Sequence, residues 1–256
     1  MSEFDALARK VVSLMDLTAL NDTDTDTSVV ELCQRASSPV GQTAAVCVWP
    51  QFVHIAKYAL AQADAAAIKV ATVVNFPHGN SDIAQAVAET QAAIAAGAAE
   101  VDLVYPYRQA IQGNLDIGRD MVGAVKAECG TKVRLKVILE TGELPTDLIA
   151  QLSQQVIAEG ADFIKTSTGK VPVNATLEAA RIMLEAIRRS GGSCGFKAAG
   201  GIRTLEQADA YLELAEQICG RSWVVSSHFR FGASGLLDDV LRHCGDSNIH
   251  SIPSGY

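Results

Sequence analysis

The sequence holds no Cys-x-x-Cys pair. Its six cysteines, Cys33, Cys47, Cys129, Cys194, Cys219 and Cys244, lie far apart, and its five histidines are scattered. A disulfide framework or a metal site needs paired or regularly spaced ligands, so neither is expected, and no metal or other cofactor is assigned. A reducing, cytoplasmic setting fits this cysteine usage. Basic runs are also missing, and the net charge is -8. Nucleic acid is therefore not an expected partner, because phosphate backbones need clustered Lys and Arg. No uninterrupted apolar stretch approaches the roughly 20 residues that cross a bilayer, so no membrane partner is expected either. The opening MSEFDALARK mixes charges of both signs and lacks the apolar centre of a secretory leader. No linker or break in composition divides the chain, and no Gly-x-Gly-x-x-Gly fingerprint marks an open dinucleotide-binding sheet.

What the chain has instead is alternation. Short runs rich in Val, Ile, Phe or small residues occur at 13–18, 43–49, 68–75, 100–105, 133–140, 162–166, 194–198 and 229–233. Between them lie Ala- and Leu-rich segments with helical spacing, among them 83–96, 117–128, 146–159, 176–189 and 205–218, and 235–243 follows the last run. Strands alternating with helices imply parallel βαβ units. Eight units in 256 residues predict an α/β single domain, a (β/α)8 TIM barrel over 1–245. The Asp-Thr repeat at 22–27 reads as a helix-initiating loop, since both residues cap helices well.

Strand parity singles out charged residues. Side chains alternate faces along a strand, and the outer face of a barrel must be apolar to pack on helices. Val101 and Leu103 then send Asp102 inward, and Leu135 and Val137 do the same for Lys136. Ile164 opposes Lys165, Phe196 opposes Lys197, Met15 and Leu17 oppose Asp16, and Val46 and Val48 oppose Cys47. Barrel interiors are normally filled by Val, Ile and Leu. Buried charges cost several kcal/mol each unless paired, so these six residues form either a structural ion network or a reactive site. Two lysines on adjacent strands favour the second. Neighbouring ammonium groups repel, which favours a neutral amine, and only a neutral amine attacks a carbonyl. Cys47 reads as a pocket-lining thiol and His78 as a loop hydrogen-bonder.

Three loops after strands carry glycine: Thr168-Gly169-Lys170, Gly200-Gly201-Ile202-Arg203 and Phe231-Gly232-Ala233-Ser234-Gly235. Glycine lets backbone N–H groups approach an anion, and in this fold the loops after strands seven and eight commonly hold phosphate.

Taken together, GADFIKTSTGK, FKAAGGIR, EVDLVYPY, VVNFPHGN and LKVILETGEL resemble the deoxyribose-phosphate aldolases over nearly the whole chain. The resemblance implies a metal-free class I aldolase that reversibly cleaves 2-deoxy-D-ribose 5-phosphate to acetaldehyde and D-glyceraldehyde 3-phosphate. It implies that Lys165 forms the Schiff base, that Lys197 tunes it and that Asp102 takes part in proton transfer. It also places Gly169, Lys170, Gly200, Gly201, Arg203, Gly232 and Ser234 around the phosphate. Beside these, parity offers Asp16, Cys47 and Lys136 as further substrate-binding candidates, and the loop that begins at Thr166, just beyond the strand end, can hold polar substrate groups. The sequence departs from a familiar form of the pattern at Ala198, where that form has Pro, and at Gly235, where it has a second Ser. The partners implied are small molecules, a sugar phosphate and aldehydes; a homodimer is the assembly expected, if any. Residues 246–256 read as a flexible tail ending in Tyr256, whose phenol could reach the barrel mouth and move a proton. Two rivals remain at this stage: another Schiff-base barrel such as a transaldolase, and a non-catalytic sugar-phosphate-binding protein.

Overall fold

The computed structural model describes residues 3–244. Four helices start where a side chain takes up free backbone amides. In the Asp-Thr repeat, Thr25 and Ser28 form a reciprocal cap on α2 (Asp26–Arg35), with Ser28 N donating to Thr25 Oγ1 at 3.2 Å and Thr25 N donating to Ser28 Oγ at 2.9 Å. Asp82 caps α4 (Ile83–Ala96), Thr176 caps α8 (Leu177–Arg189), and Thr204 with Gln207 caps α9 (Leu205–Cys219). The other helices are α1 (Glu3–Ser13), α3 (Val53–Gln62), α5 (Tyr107–Ile111), α6 (Asp116–Cys129), α7 (Thr146–Ala158) and α10 (Leu236–His243). α1 precedes the first strand and moves its start from the expected residue 13 to Met15. Ala8, Val11 and Val12, spaced for one helical face, are fully buried beneath it.

Eight parallel strands close into a barrel in the order β1-β10-β9-β8-β7-β6-β5-β4. They are β1 (Met15–Ala19), β4 (Ala45–Val48), β5 (Lys69–Val74), β6 (Glu100–Val104), β7 (Arg134–Ile138), β8 (Phe163–Lys165), β9 (Gly195–Ala199) and β10 (Phe229–Ala233). A two-stranded antiparallel ladder, β2 (Ser37–Ser38) with β3 (Gly41–Gln42), lies between α2 and β4. The fold is the (β/α)8 barrel expected from the alternation. The outward positions Val101, Leu103, Leu135, Val137, Ile164 and Phe196 are all fully buried in the main apolar core. Each such side chain contributes about 1.5–3 kcal/mol by leaving water, so it is the outer layer that holds the strands in register. That register fixes what points inward.

Candidate active site

Strand pairing sets Lys165 beside Lys197, Lys197 beside Arg230, and Asp102 beside Lys136. All six residues read as inward from parity, Asp16, Cys47, Asp102, Lys136, Lys165 and Lys197, are fully buried. Asp102 joins three of them. Its Oδ2 accepts from Lys165 Nζ at 3.0 Å and from Lys197 Nζ at 2.8 Å, and its Oδ1 accepts from Lys136 Nζ at 2.8 Å. Lys197 Nζ also donates to Asp16 Oδ2 at 2.6 Å.

Two further charges, Glu100 and Arg230, complete the network one layer down. Lys136 Nζ lies 2.7 Å from Glu100 Oε2. The Arg230 guanidinium donates to Asp16 Oδ1 at 2.5 Å and to Glu100 Oε1 at 3.0 Å. Burial alone would protonate these carboxylates, but the cations outweigh it. Asp102 is held well below the usual carboxylate range by Lys136, Lys197 and Lys165, and Asp16 and Glu100 are lowered in the same way. Burial likewise works against the ammonium groups and loses. Asp102 and Glu100 hold Lys136 up at about 12, and Asp102 with Asp16 holds Lys197 above the normal lysine value. Lys197 therefore keeps its proton, as a repelling neighbour of Lys165 must. The bare like-charge repulsion expected from the sequence is nevertheless corrected, because one carboxylate oxygen is shared by both amines.

One side of this charged centre is apolar. Leu20, Cys47, Ala71 and Val73 pack together, with Trp49 and Phe76 against them. Burial pushes the Cys47 thiol up to about 11, so it lines the wall as a neutral group despite three lysines nearby.

The loops at the C-terminal ends of β8, β9 and β10 lie side by side over the lysines. Thr166 Oγ1 accepts from Ala199 N at 3.0 Å, which ties the end of β8 to β9. Thr168 is clamped by Glu140, whose carboxylate accepts from Thr168 N at 3.1 Å and from Thr168 Oγ1 at 2.5 Å. Lys170 reaches across to donate to Leu20 O at 2.7 Å. Gly169, Gly200 and Gly201 all have positive φ, and a Cβ on Gly200 would lie 2.7 Å from that of Asn174, so the Asn174 side chain packs directly on the Gly200 backbone. Arg203 is exposed at the rim. The hydroxyls of Ser167 and Ser234 are buried without a partner among the described residues, as polar atoms awaiting one would be. His78 is exposed, and its carbonyl, not its ring, is what Arg108 bonds. Tyr256 lies outside the described residues.

The sequence pattern that defines the DeoC/LacD family aldolases matches residues 10–237. The chain belongs to this family. The barrel of this aldolase superposes on a Toxoplasma gondii ME49 protein described as a deoxyribose-phosphate aldolase, with a TM-score of 0.85 and 28% identity over 95% of this chain and 98% of the other. A Coccidioides immitis protein with the same description gives a TM-score of 0.80 and 28% identity over 93% and 87%. A tetrameric deoxyribose phosphate aldolase of Aeropyrum pernix, at 23% identity and a TM-score of 0.73 over 95% and 98%, shares the fold. The aldolase is accordingly a lyase acting on carbon–carbon bonds.

Parity, extended one step, would have found two of the residues that the sequence reading missed. Glu100 shares the face of Asp102, and Arg230 shares that of Gly232. Glu140 also shares the face of Lys136 in the expected run 133–140, but β7 ends at Ile138 and Glu140 follows it in a left-handed conformation, with φ 61°, so its role shows only when Thr168 is seen beside it. Ala198 faces the outer core, away from the lysines.

Proposed function

We propose that this aldolase reversibly cleaves 2-deoxy-D-ribose 5-phosphate to acetaldehyde and D-glyceraldehyde 3-phosphate through a Schiff base on Lys165. The observation that carries the reading is the shared carboxylate. Lys165 and Lys197 both donate to Asp102 Oδ2, at 3.0 and 2.8 Å, in full burial beneath the loops. Asp102 is already held by two strongly protonated groups, Lys136 and Lys197. Its pull on a proton at Lys165 is divided, which favours the free amine that the chemistry needs.

Neutral Lys165 adds to the substrate aldehyde carbon, and loss of water leaves an iminium. The C3 hydroxyl gives its proton to a base, the C3–C4 side of the substrate leaves as an aldehyde as the C2–C3 bond breaks, and the bonding pair moves into an enamine. A proton then returns to the enamine carbon, and water releases acetaldehyde and the amine. Asp102, with Lys197 as its proton-bearing neighbour, supports both transfers. The apolar wall of Leu20, Cys47, Val73 and Phe76 suits the two-carbon fragment. The loops of Gly169, Gly200, Gly201 and Ser234, with Lys170 and Arg203, suit the phosphate.

Borohydride reduction in the presence of acetaldehyde, followed by peptide mass mapping, tests the assignment. The adduct is expected on Lys165, and a label on Lys197 or Lys136 instead would reverse the roles. Lys165→Ala is expected to abolish both adduct and turnover in a folded barrel. Tyr256 is proposed, on the chemistry of its phenol alone, to assist proton transfer at the acetaldehyde carbon. Solvent deuterium exchange into acetaldehyde should slow in Tyr256→Phe, and wild-type exchange would remove it from the scheme.

A further inference from the structure

The opposite end of the barrel has a cavity of its own. It measures about 480 Å³ and is walled by the beginnings of the strands, where Lys69 opens β5, Glu100 opens β6 and Arg134 opens β7. Its size suits a small molecule. Its floor is Arg230 and Glu100, both buried and paired with each other at 3.0 Å. Those two charges belong to the internal network and are matched there.

The charges at the mouth are not matched. Arg134 is half-exposed, with Nη1 3.8 Å from a Glu100 carboxylate already engaged by Lys136 and Arg230. Lys69 and Lys132 are exposed, and neither ammonium has an ion-pair or hydrogen-bond partner among the described residues. Three cations therefore converge on one concave opening in a chain whose net charge is -8. Stability does not ask for this arrangement, since like charges around one cavity repel. A concave wall does focus such a field onto an anion. Arg134 adds a planar fork for phosphate or carboxylate oxygens, and Ser226 also lines the cavity.

We propose that this cavity binds a small polyanion bearing phosphate or carboxylate groups, at a site separate from the glycine loops over Lys165. The two ends are in contact through side chains. Glu100 touches Lys136, Lys136 touches Asp102, and Asp102 touches Lys165, at 2.7, 2.8 and 3.0 Å.

The test is calorimetric titration of the full chain, at low ionic strength, with pyrophosphate and with citrate. The titration is run on Lys170→Ala/Arg203→Glu as well as on the unaltered chain, so that anion bound at the glycine loops is separated. Saturable binding at one remaining site per chain is expected for at least one probe, and the tighter probe identifies whether phosphate or carboxylate is the source. Lys69→Ala/Lys132→Ala should weaken that binding about tenfold or more. Lys170→Ala/Arg203→Glu, at the other end of the barrel, should leave it unchanged. Lys69 and Lys132 are exposed and unpaired, so their loss leaves the fold intact, which circular dichroism checks. No binding of either probe, a weakening of less than threefold in the lysine pair, or loss of binding in the Lys170/Arg203 pair would each overturn the proposal. None of these readouts uses aldol cleavage, so the substrate reading and this one fail separately.

Discussion

Gly232 carries no side chain at the point where Lys197 needs room. A methyl group there would lie 3.0 Å from Lys197 Cε and 2.9 Å from Ala199 Cβ, both closer than carbon atoms settle. Gly232→Ala is therefore expected to push the ammonium off Asp102 and to press β10 away from Ala199 as well. A displacement near 1 Å costs about a hundredfold in turnover where geometry matters, so kcat should fall by tens to a hundredfold, with a melting temperature lowered by the strained seam but a barrel that still folds. A variant with full kcat would mean that Lys197 need not sit where it does. Lys197→Leu is harsher. It strips Asp16 and Asp102 of a partner at 2.6 and 2.8 Å, a loss of about 3–5 kcal/mol for a broken buried pair. It also leaves Asp102 freer to hold a proton on Lys165. The acid limb of the pH–rate profile should move to higher pH, and a profile that stays in place would count against the shared-carboxylate argument. Parity made the charged residues legible in the sequence, because a charge flanked by outward apolar residues, as Asp102 is by Val101 and Leu103, has only one other place to go. The sharing of Asp102 was not legible, because it depends on lysines from three other strands, β7, β8 and β9, converging on one carboxylate.

Three loops, after β8, β9 and β10, form one surface over the lysines. Ser234→Asp and Arg203→Glu put negative charge into that surface. Each should raise KM for the phosphorylated substrate far more than for its dephosphorylated analogue, by about tenfold or more for one reversed charge. Equal losses with both substrates would place the phosphate elsewhere. Glu140→Gln tests the clamp beneath. It weakens two charge-assisted bonds to Thr168, worth about 1.5–3 kcal/mol each when intact. The loop should then be less ordered before substrate arrives, seen as a higher KM for the phosphorylated substrate, with a melting temperature lower by about 2–4 °C for each kcal/mol lost. At this scale the sequence announced the strands and most helices to within a residue or two, because apolar period and caps are local signals. It was silent on how Lys170 spans to Leu20 and on Glu140 gripping Thr168, since such contacts join segments 150 and 28 residues apart.

The barrel as a whole is built around ions where most of its relatives in architecture have hydrocarbon, and its stability should follow their titration. Asp16, Glu100 and Asp102 are lowered in the folded state: burial opposes this, but the surrounding cations prevail. Carboxylates lowered in this way stabilise the fold above their unfolded values near 4, and the contribution fades as pH drops below that. Lys136 is raised to about 12 and Lys197 and Arg230 are also raised, burial again being outweighed by the carboxylates. Their contribution is complete below the unfolded lysine value of about 10.4 and is lost only as pH climbs beyond it. The urea midpoint should therefore be nearly flat from about pH 5 to 9 and fall steeply below about pH 4; a decline already under way between pH 7 and 5 would contradict this. Closure of β1 onto β10 has a consequence in time. Arg230 meets Asp16 across 214 positions of chain, and a ribosome adding about 5–20 residues per second delivers the first partner on the order of ten to forty seconds before the second. Throughout that wait Asp16 stands at the edge of an unfinished sheet with its guanidinium not yet made. The last strand to be synthesised thus brings both the final hydrogen-bonded seam and the charge that makes the interior habitable, and the nascent barrel is expected to become protease-resistant in a single step, only once β10 has cleared the exit tunnel.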